Sequence, residues 1–245
     1  MAVAIIGGTG LTTLKNLEIT HREVVHTPYG EPSGPITHGM LHGREVLFLA
    51  RHGYGHNIPP HKVNYRANLW ALSHLGVDRL FAVAAVGGIH SAMTPTRIAF
   101  PDQIIDYTWG RGHTLFEDDL AEVTHIDFTY PYDEPMRQLL IRAAGAAEVD
   151  AAETGTYGAT QGPRLETAAE IRRMRNDGCD LVGMTGMPEA ALARELGMGY
   201  ATSAVVVNWA AGLQPEPIAM ADIQYYLNDG MEKVRRILGQ LIPLL

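Results

Sequence analysis

Apolar runs of four to eight residues alternate with stretches whose apolar positions recur every three or four residues. Ala2 to Ile6 is a short apolar run that stops at Gly7-Gly8-Thr9-Gly10, which predicts a strand ending in a tight turn. Glu45 to Ala50 reads as a second strand, broken by Arg51-His52-Gly53. Over Val63 to Leu75 the leucines at 69, 72 and 75 fall at helical spacing, with Gly76 as the cap. Arg79 to Val86 is continuously apolar and ends in Gly87-Gly88, the pattern of a strand covered on both faces.

The second half repeats the alternation. Helical character is predicted over Glu134 to Ala147 and Thr167 to Arg175, with an extended segment from Thr154 to Thr160 between them. Leu181 to Met184 reads as a buried strand, Pro188 opens a helix at a position where proline is tolerated, and Tyr200 to Val207 is another strand. Ile223, Leu227, Met231, Val234, Leu238 and Leu241 mark one face of a long closing helix. No internal repeat, low-complexity tract or break in composition divides the chain. The expectation is a single α/β domain over residues 1–245, with a central mixed, twisted sheet flanked by helices.

Composition narrows the classes of partner. The 245 residues carry a formal net charge of -8, which argues against general nucleic-acid affinity and against an anionic membrane. No apolar run approaches the roughly 20 residues of a membrane span, and the first residues lack a signal-peptide pattern, so a soluble cytoplasmic protein is expected. The single cysteine, Cys179, rules out an internal disulfide and a zinc-thiolate cluster, and its apolar setting suggests a buried structural thiol.

In a sheet of this kind ligands collect at strand ends, and three such corners carry suggestive chemistry. Gly7-Gly8-Thr9-Gly10 allows close backbone approach to an anion and adds a hydroxyl donor, although a ligand-free turn or a cofactor loop would look the same. Its spacing is not G-x-G-x-x-G, and no acidic residue ends a second strand about 20 residues on, which opposes a dinucleotide site. Arg51 and His52 suit a phosphate, the guanidinium offering two parallel charge-assisted bonds. His52, His56 and His61 also invite a metal reading, opposed by the lack of a nearby carboxylate, so no metal ligand is assigned there. The third corner pairs Gly162-Pro163-Arg164-Leu165-Glu166 with Val182-Gly183-Met184-Thr185, where Glu166 could accept a hydrogen bond from a heterocycle N–H or simply be a solvated loop carboxylate.

Taken in order, these words resemble the trimeric purine nucleoside phosphorylases, and their methylthioadenosine phosphorylase branch above all. The resemblance runs from Ile5-Ile6-Gly7-Gly8-Thr9-Gly10-Leu11 through Leu49-Ala50-Arg51-His52-Gly53 and Lys62-Val63-Asn64-Tyr65-Arg66-Ala67-Asn68 to Met184-Thr185-Gly186-Met187-Pro188-Glu189. It implies a phosphate site of Thr9, Arg51, His52 and Thr185 with backbone near Ala84 and Ala85, alanine at 84 standing where the family usually has threonine. It further implies Met184 under the ribose, His56 and His125 at the 5′ end, the latter from a neighbouring subunit, and Leu165 against the base. Met220 and Ile223 are the candidates for the wall of the 5′ pocket. A homotrimer with shared active sites is implied, and no cofactor beyond phosphate as co-substrate.

Two departures bear on the base. Where adenine-specific members carry Asp-x-Asp, this chain reads Asn208-Trp209-Ala210, and Glu166 stands where that branch has serine. Both match the inosine- and guanosine-cleaving relatives. An ionised Glu166 can accept from the N1–H of a 6-oxopurine, whereas adenine offers N1 as a bare acceptor. An asparagine can serve a carbonyl edge and N7 together. Burying a mismatched polar group costs about 1–3 kcal/mol, so the two changes should redirect specificity. The expectation is phosphorolysis of a 6-oxopurine nucleoside such as 5′-methylthioinosine, with Asn208, Glu166 and His52 in catalytic roles. Its rivals are a methylthioadenosine phosphorylase, a general inosine/guanosine phosphorylase and, from another class, a non-catalytic nucleotide-binding domain.

Overall fold

A computed structural model describes residues 2–14, 16–118, 120 and 122–245. Among these residues eleven strands form one mixed sheet, as the alternation predicts. Its middle is β5 (Val77–Gly88), twelve residues long. Along one edge β5 pairs in parallel with β1 (Ala2–Gly7) and, beyond the end of β1, antiparallel with β10 (Leu181–Gly183). Its other edge pairs in parallel with β11 (Gly199–Trp209) over nearly its whole length. β1 continues the sheet through β4 (Arg44–Ala50), β3 (Ile36–Leu41) and β2 (Glu18–Glu23), while β10 leads to β9 (Thr156–Ala159) and β7 (Gln103–Asp106). Two-residue strands β6 (Ile98–Ala99) and β8 (Ala151–Ala152) extend the β11 side.

Helices cover both faces because the central strands are apolar on both. Ala82, Ala84 and Val86 of β5 face a cluster that includes Leu69 and Leu72 of α1 (Tyr65–His74) and Ala190 and Leu192 of α4 (Gly186–Glu195). Phe81 and Val83 face the opposite cluster, filled by Met136 and Leu140 of α2 (Glu134–Ala146) and by α5 (Met220–Leu241). The predicted stripe of α5 is buried from Leu227 to Leu241, each such side chain contributing about 1.5–3 kcal/mol by leaving water. α3 (Ala168–Asn176) is closed by a capping box between Thr167 and Glu170 and packs Ile171 and Met174 against Val182 and Ala210. No helix among the described residues is long and apolar enough to cross a membrane. Cys179 is buried, as its setting suggests.

Local geometry bears on the sequence reading at three points. The extended segment before Thr160 is a strand only from Thr156, since Gly155 turns at its start. Helical geometry in α4 begins after Met187, at the proline expected to open the helix, and the extended φ/ψ of Met187, -120° and 141°, is what a residue before proline prefers. β2 is absent from the hydrophobic pattern because it lies on the open edge with five of its six residues exposed, and β3, although buried, has its apolar run interrupted by Thr37, His38 and Gly39.

Candidate active site

β1, β4 and β5 run parallel, so the turns after β1 and β4 lie side by side at one edge of the sheet. The Arg51 N–H donates to the Gly7 carbonyl at 2.9 Å and carries the chain back under the glycine turn. Gly8 is required there: a Cβ would lie 2.5 Å from the Val83 oxygen and 3.0 Å from Arg51 Nη1. Thr9 follows, half-buried at the mouth of the turn.

The Arg51 side chain is 1% exposed, and its two parallel bonds go to a partner inside the chain. Nε and Nη2 donate to the two oxygens of Glu189 at 2.6 and 2.7 Å, and Nη1 donates to the Val83 carbonyl at 2.9 Å. This corrects the expectation that the fork is reserved for an external anion. A charge at that depth cannot persist unpaired, and α4 places Glu189, itself 0% exposed, at the same level. Burial alone would lower the Arg51 pKa, yet Glu189 more than offsets it and leaves it raised, so the guanidinium stays charged. Tyr200 Oη donates to the same carboxylate at 2.8 Å. Of the five guanidinium N–H groups, one on each terminal nitrogen remains unused.

His52 is buried next to this pair. Its Nδ1 lies 2.8 Å from the Ile58 carbonyl, which can only accept, so the Nδ1 proton is fixed and Nε2 is left as the free nitrogen. Burial, then the Arg51 charge, pushes its pKa down to about 4, so the ring is neutral at pH 7. His56 meets it edge-on at 5.1 Å but is itself exposed. Thr185 is buried at the N-terminus of α4, and its hydroxyl makes no capping bond. Ala84 is buried and Ala85 half-buried in β5, directly after the Val83 carbonyl that Arg51 holds. Thr9, Arg51, His52, Thr185 and the two alanines thus gather at adjoining strand and helix ends.

The base-end candidates lie across the tips of β11, β5, β10 and β9. β11 carries one extra residue between Val206, opposite Val86, and Asn208, opposite Gly87. This bulge interrupts the alternation of faces and re-aims the side chains beyond it. Asn208 Nδ2 donates to the Trp209 carbonyl at 2.7 Å, and a Cβ on Gly87 would come within 3.4 Å of it. Ala210 is buried, its N–H bonded to Gly88 O at 2.9 Å. Beyond β9, Thr160 Oγ1 donates to Glu166 Oε1 at 2.6 Å, leaving Oε2 as an acceptor. Met184 packs its sulfur against Gly162.

Glu166 and Asn208 face different cavities. Glu166 lines one of about 470 Å³ with Thr160, Gly162 and Tyr107, and Asn208 lines one of about 360 Å³ with Trp209 and Tyr226. From α5 it is Asp222 and Tyr226 that turn toward Asn208, whereas Met220 is 71% exposed and Ile223 packs against the core. Leu165 is 40% exposed. His125 stands exposed on the segment between β7 and α2.

Sequence reasoning overlooked two residues that hold the corners together. Glu189 is one, and an acid amid Met187, Pro188, Ala190 and Ala191 is a signal that could have found it. Arg111 is the other: it is 8% exposed and donates to the carbonyls of Thr160, Gln161, Met184 and Met187 and to Gln161 Oε1. It thereby ties the Glu166 loop to the Met184 loop. Lying between Gly110 and Gly112, it gives no pattern to read.

The chain matches the phosphorylase superfamily over residues 2–243. It is 56% identical over 239 residues to a probable S-methyl-5′-thioinosine phosphorylase of Pseudomonas syringae pv. tomato, covering 98% of this chain and 97% of that one. It is 45% identical to the 6-oxopurine nucleoside phosphorylase of Pyrococcus furiosus, over 99% of this chain and 92% of the relative. Among solved structures, methylthioadenosine phosphorylase from Schistosoma mansoni in complex with adenine superposes with a TM-score of 0.96 at 31% identity, covering 100% of this chain and 91% of that one. The chain belongs to the phosphorylase superfamily, among its purine nucleoside phosphorylases.

Proposed function

We propose that this enzyme cleaves 5′-methylthioinosine with phosphate, giving hypoxanthine and 5-methylthioribose 1-phosphate in purine salvage. The observation that carries the reading is Glu166: one oxygen is occupied by Thr160 and the other is free to accept from the N1–H of a 6-oxopurine. A carboxylate there would meet adenine N1 lone pair to lone pair. The names of the relatives in Pseudomonas syringae and Pyrococcus furiosus support the same base. Asn208 would release the Trp209 carbonyl and turn to N7 as charge develops on the departing purine. Asn208 is at the tip of β11, and Thr160, which holds Glu166, follows the tip of β9, with β5 and β10 between the two strands; a base bound by both would bridge the two cavities they line.

Phosphate would take the two spare N–H groups of Arg51, the hydroxyls of Thr9 and Thr185 and backbone N–H groups near Ala84 and Ala85. The N-terminus of α4 adds favourable potential there. With its pKa near 4 and Nδ1–H held by Ile58, His52 would present Nε2 as an acceptor for a protonated phosphate oxygen. Phosphate so placed stabilises an oxocarbenium-like sugar and then captures its C1. The reaction needs no cofactor beyond phosphate. His125 would complete the 5′ end from a neighbouring subunit, with His56 from the same chain.

The test is kcat/KM for methylthioinosine, methylthioadenosine and inosine at saturating phosphate. Methylthioinosine should exceed methylthioadenosine by at least roughly 10²-fold and should exceed inosine as well. Equal values for the two methylthio substrates would remove the base assignment and leave the phosphorylase reading standing. A preference for methylthioadenosine would favour the activity named for the Schistosoma mansoni structure.

A further inference from the structure

At the open edge of the sheet, far in sequence from the base-end loops, two histidines and two carboxylates share one face. His21 of β2 lies directly opposite His38 of β3, Glu23 follows two residues after His21, and Glu45 of β4 pairs with Met40, two residues after His38. The rings of His21 and His38 stack at 4.1 Å and 16°, which brings their edges side by side. Donor atoms of His21, Glu23 and His38 all lie within 4.8 Å of one another.

The histidine nitrogens are sorted into two kinds. His21 Nδ1 contacts Thr20 Oγ1 at 3.2 Å, and His38 Nδ1 faces Glu45 Oε1 at 3.9 Å. Each ring therefore turns its Nδ1 toward an oxygen, within contact in His21 and short of a hydrogen bond in His38, where Glu45 would have to close in to orient the ring. His38 is 8% exposed, and its buried Nε2 lies 3.2 Å from Glu23 Oε2 but off the line a hydrogen bond needs, so it has no hydrogen-bond partner. Leaving such a nitrogen unsatisfied costs about 1–3 kcal/mol. A carboxylate on Nδ1 is how a ligating histidine is commonly oriented, because it fixes the tautomer that offers Nε2.

We propose that His21, Glu23 and His38 bind a divalent transition ion of the zinc class, with Glu45 orienting His38. Two imidazoles and one carboxylate suit zinc and leave a fourth position for water. Ligands on one tetrahedral zinc lie about 3.3 Å apart, so the donors must close by about 1.5 Å at the widest pair. His21 is exposed and Glu23 half-exposed, and both can move, whereas His38 is held by its burial. The ion would pin β2, the outermost strand, to β3. It stands outside the phosphorolysis machinery, whose residues it does not include.

The experiment titrates metal-free enzyme with Zn2+ in competition with a chromophoric chelator and follows Tm alongside. One zinc per chain with micromolar or tighter affinity is expected, together with a rise in Tm. H21A and E23Q should each weaken binding by about 10-fold or more and abolish the Tm rise, and E45Q should weaken it by about 10-fold. All three should keep the phosphorolysis rate of the parent, which also shows that they fold. H26A, altering a surface histidine paired with Glu31, should bind zinc as the parent does. Absence of stoichiometric zinc binding would overturn the proposal, as would undiminished binding in the H21A/E23Q double variant, which would move the ion to another site such as His52 and His56.

Discussion

A guanidinium buried to 1% exposure can act on an anion only if its own counter-charge is built in. Glu189 is that counter-charge, and it holds the plane of Arg51 while leaving an N–H on each terminal nitrogen. Removing one partner of a buried pair strands the other, so Glu189→Ala should lose about 3–5 kcal/mol of unfolding free energy. Urea denaturation measures this, and a loss below 1 kcal/mol would mean that Arg51 finds other compensation. His52 carries a second, pH-dependent consequence. Its pKa falls from 6.5 in the unfolded chain to about 4 in the fold. Between those values the unfolded chain binds the proton and the folded one does not, so stability rises with pH across that window and is lost as pH falls through it. At about 1.4 kcal/mol per unit, His52→Gln should flatten the stability profile from pH 4 to 6.5 by about 3 kcal/mol. Parallel profiles for parent and variant would remove His52 as the source.

At the scale of elements, the site depends on how strand ends and loops are fastened. Arg111 binds the loop bearing Glu166 to the loop bearing Met184 through five bonds. Arg111→Lys cannot reproduce that fork and should let the loops drift. Misplacement by about 1 Å can cost 10²-fold, so kcat should fall by about 10–100-fold with a smaller change in phosphate KM. A fall in stability without a fall in kcat would make Arg111 merely structural. The central strands were readable because they are apolar on both faces, as in Arg79 to Val86, and the closing helix because its stripe is unbroken from Leu227 to Leu241. β2 was not, because Glu18-Ile19-Thr20-His21-Arg22-Glu23 faces water and carries no alternation. Thr9, Arg51, His52 and Thr185 were singled out through family words and stand as candidates, whereas the Arg51–Glu189 pair needed a contact across 138 positions.

The whole molecule presents large apolar side chains where a lone chain would hide them. Trp109, Val123 and Tyr130 are each at least 70% exposed on the segment that also bears His125. Exposed apolar side chains of this size suit contact with another copy of the chain. Sedimentation should give a trimer, and a fully active monomer would end the shared-site reading. A mixing experiment is sharper. Chains carrying Arg51→Ala and chains carrying His125→Ala should each be impaired alone, yet recover part of the activity when refolded together. That follows because mixed assemblies contain some sites with neither change. No recovery would place His125 in its own chain's site or outside any.

The bulge in β11 sets a rule about counting. Asn208 lies two residues beyond Val206, yet its partner Gly87 directly follows Val86, so one supernumerary residue sits just before the strand tip. Substitution at 208 would change what the strand tip offers a base, whereas removing the supernumerary residue would change how that tip is aimed. Deleting Val207 would remove the bulge and leave Asn208 directly after Val206 and still opposite Gly87, so the register would survive while the local bend that aims the tip is lost. The chemistry of the tip and its aim are thus set separately, one by the side chain at 208 and the other by the insertion just before it.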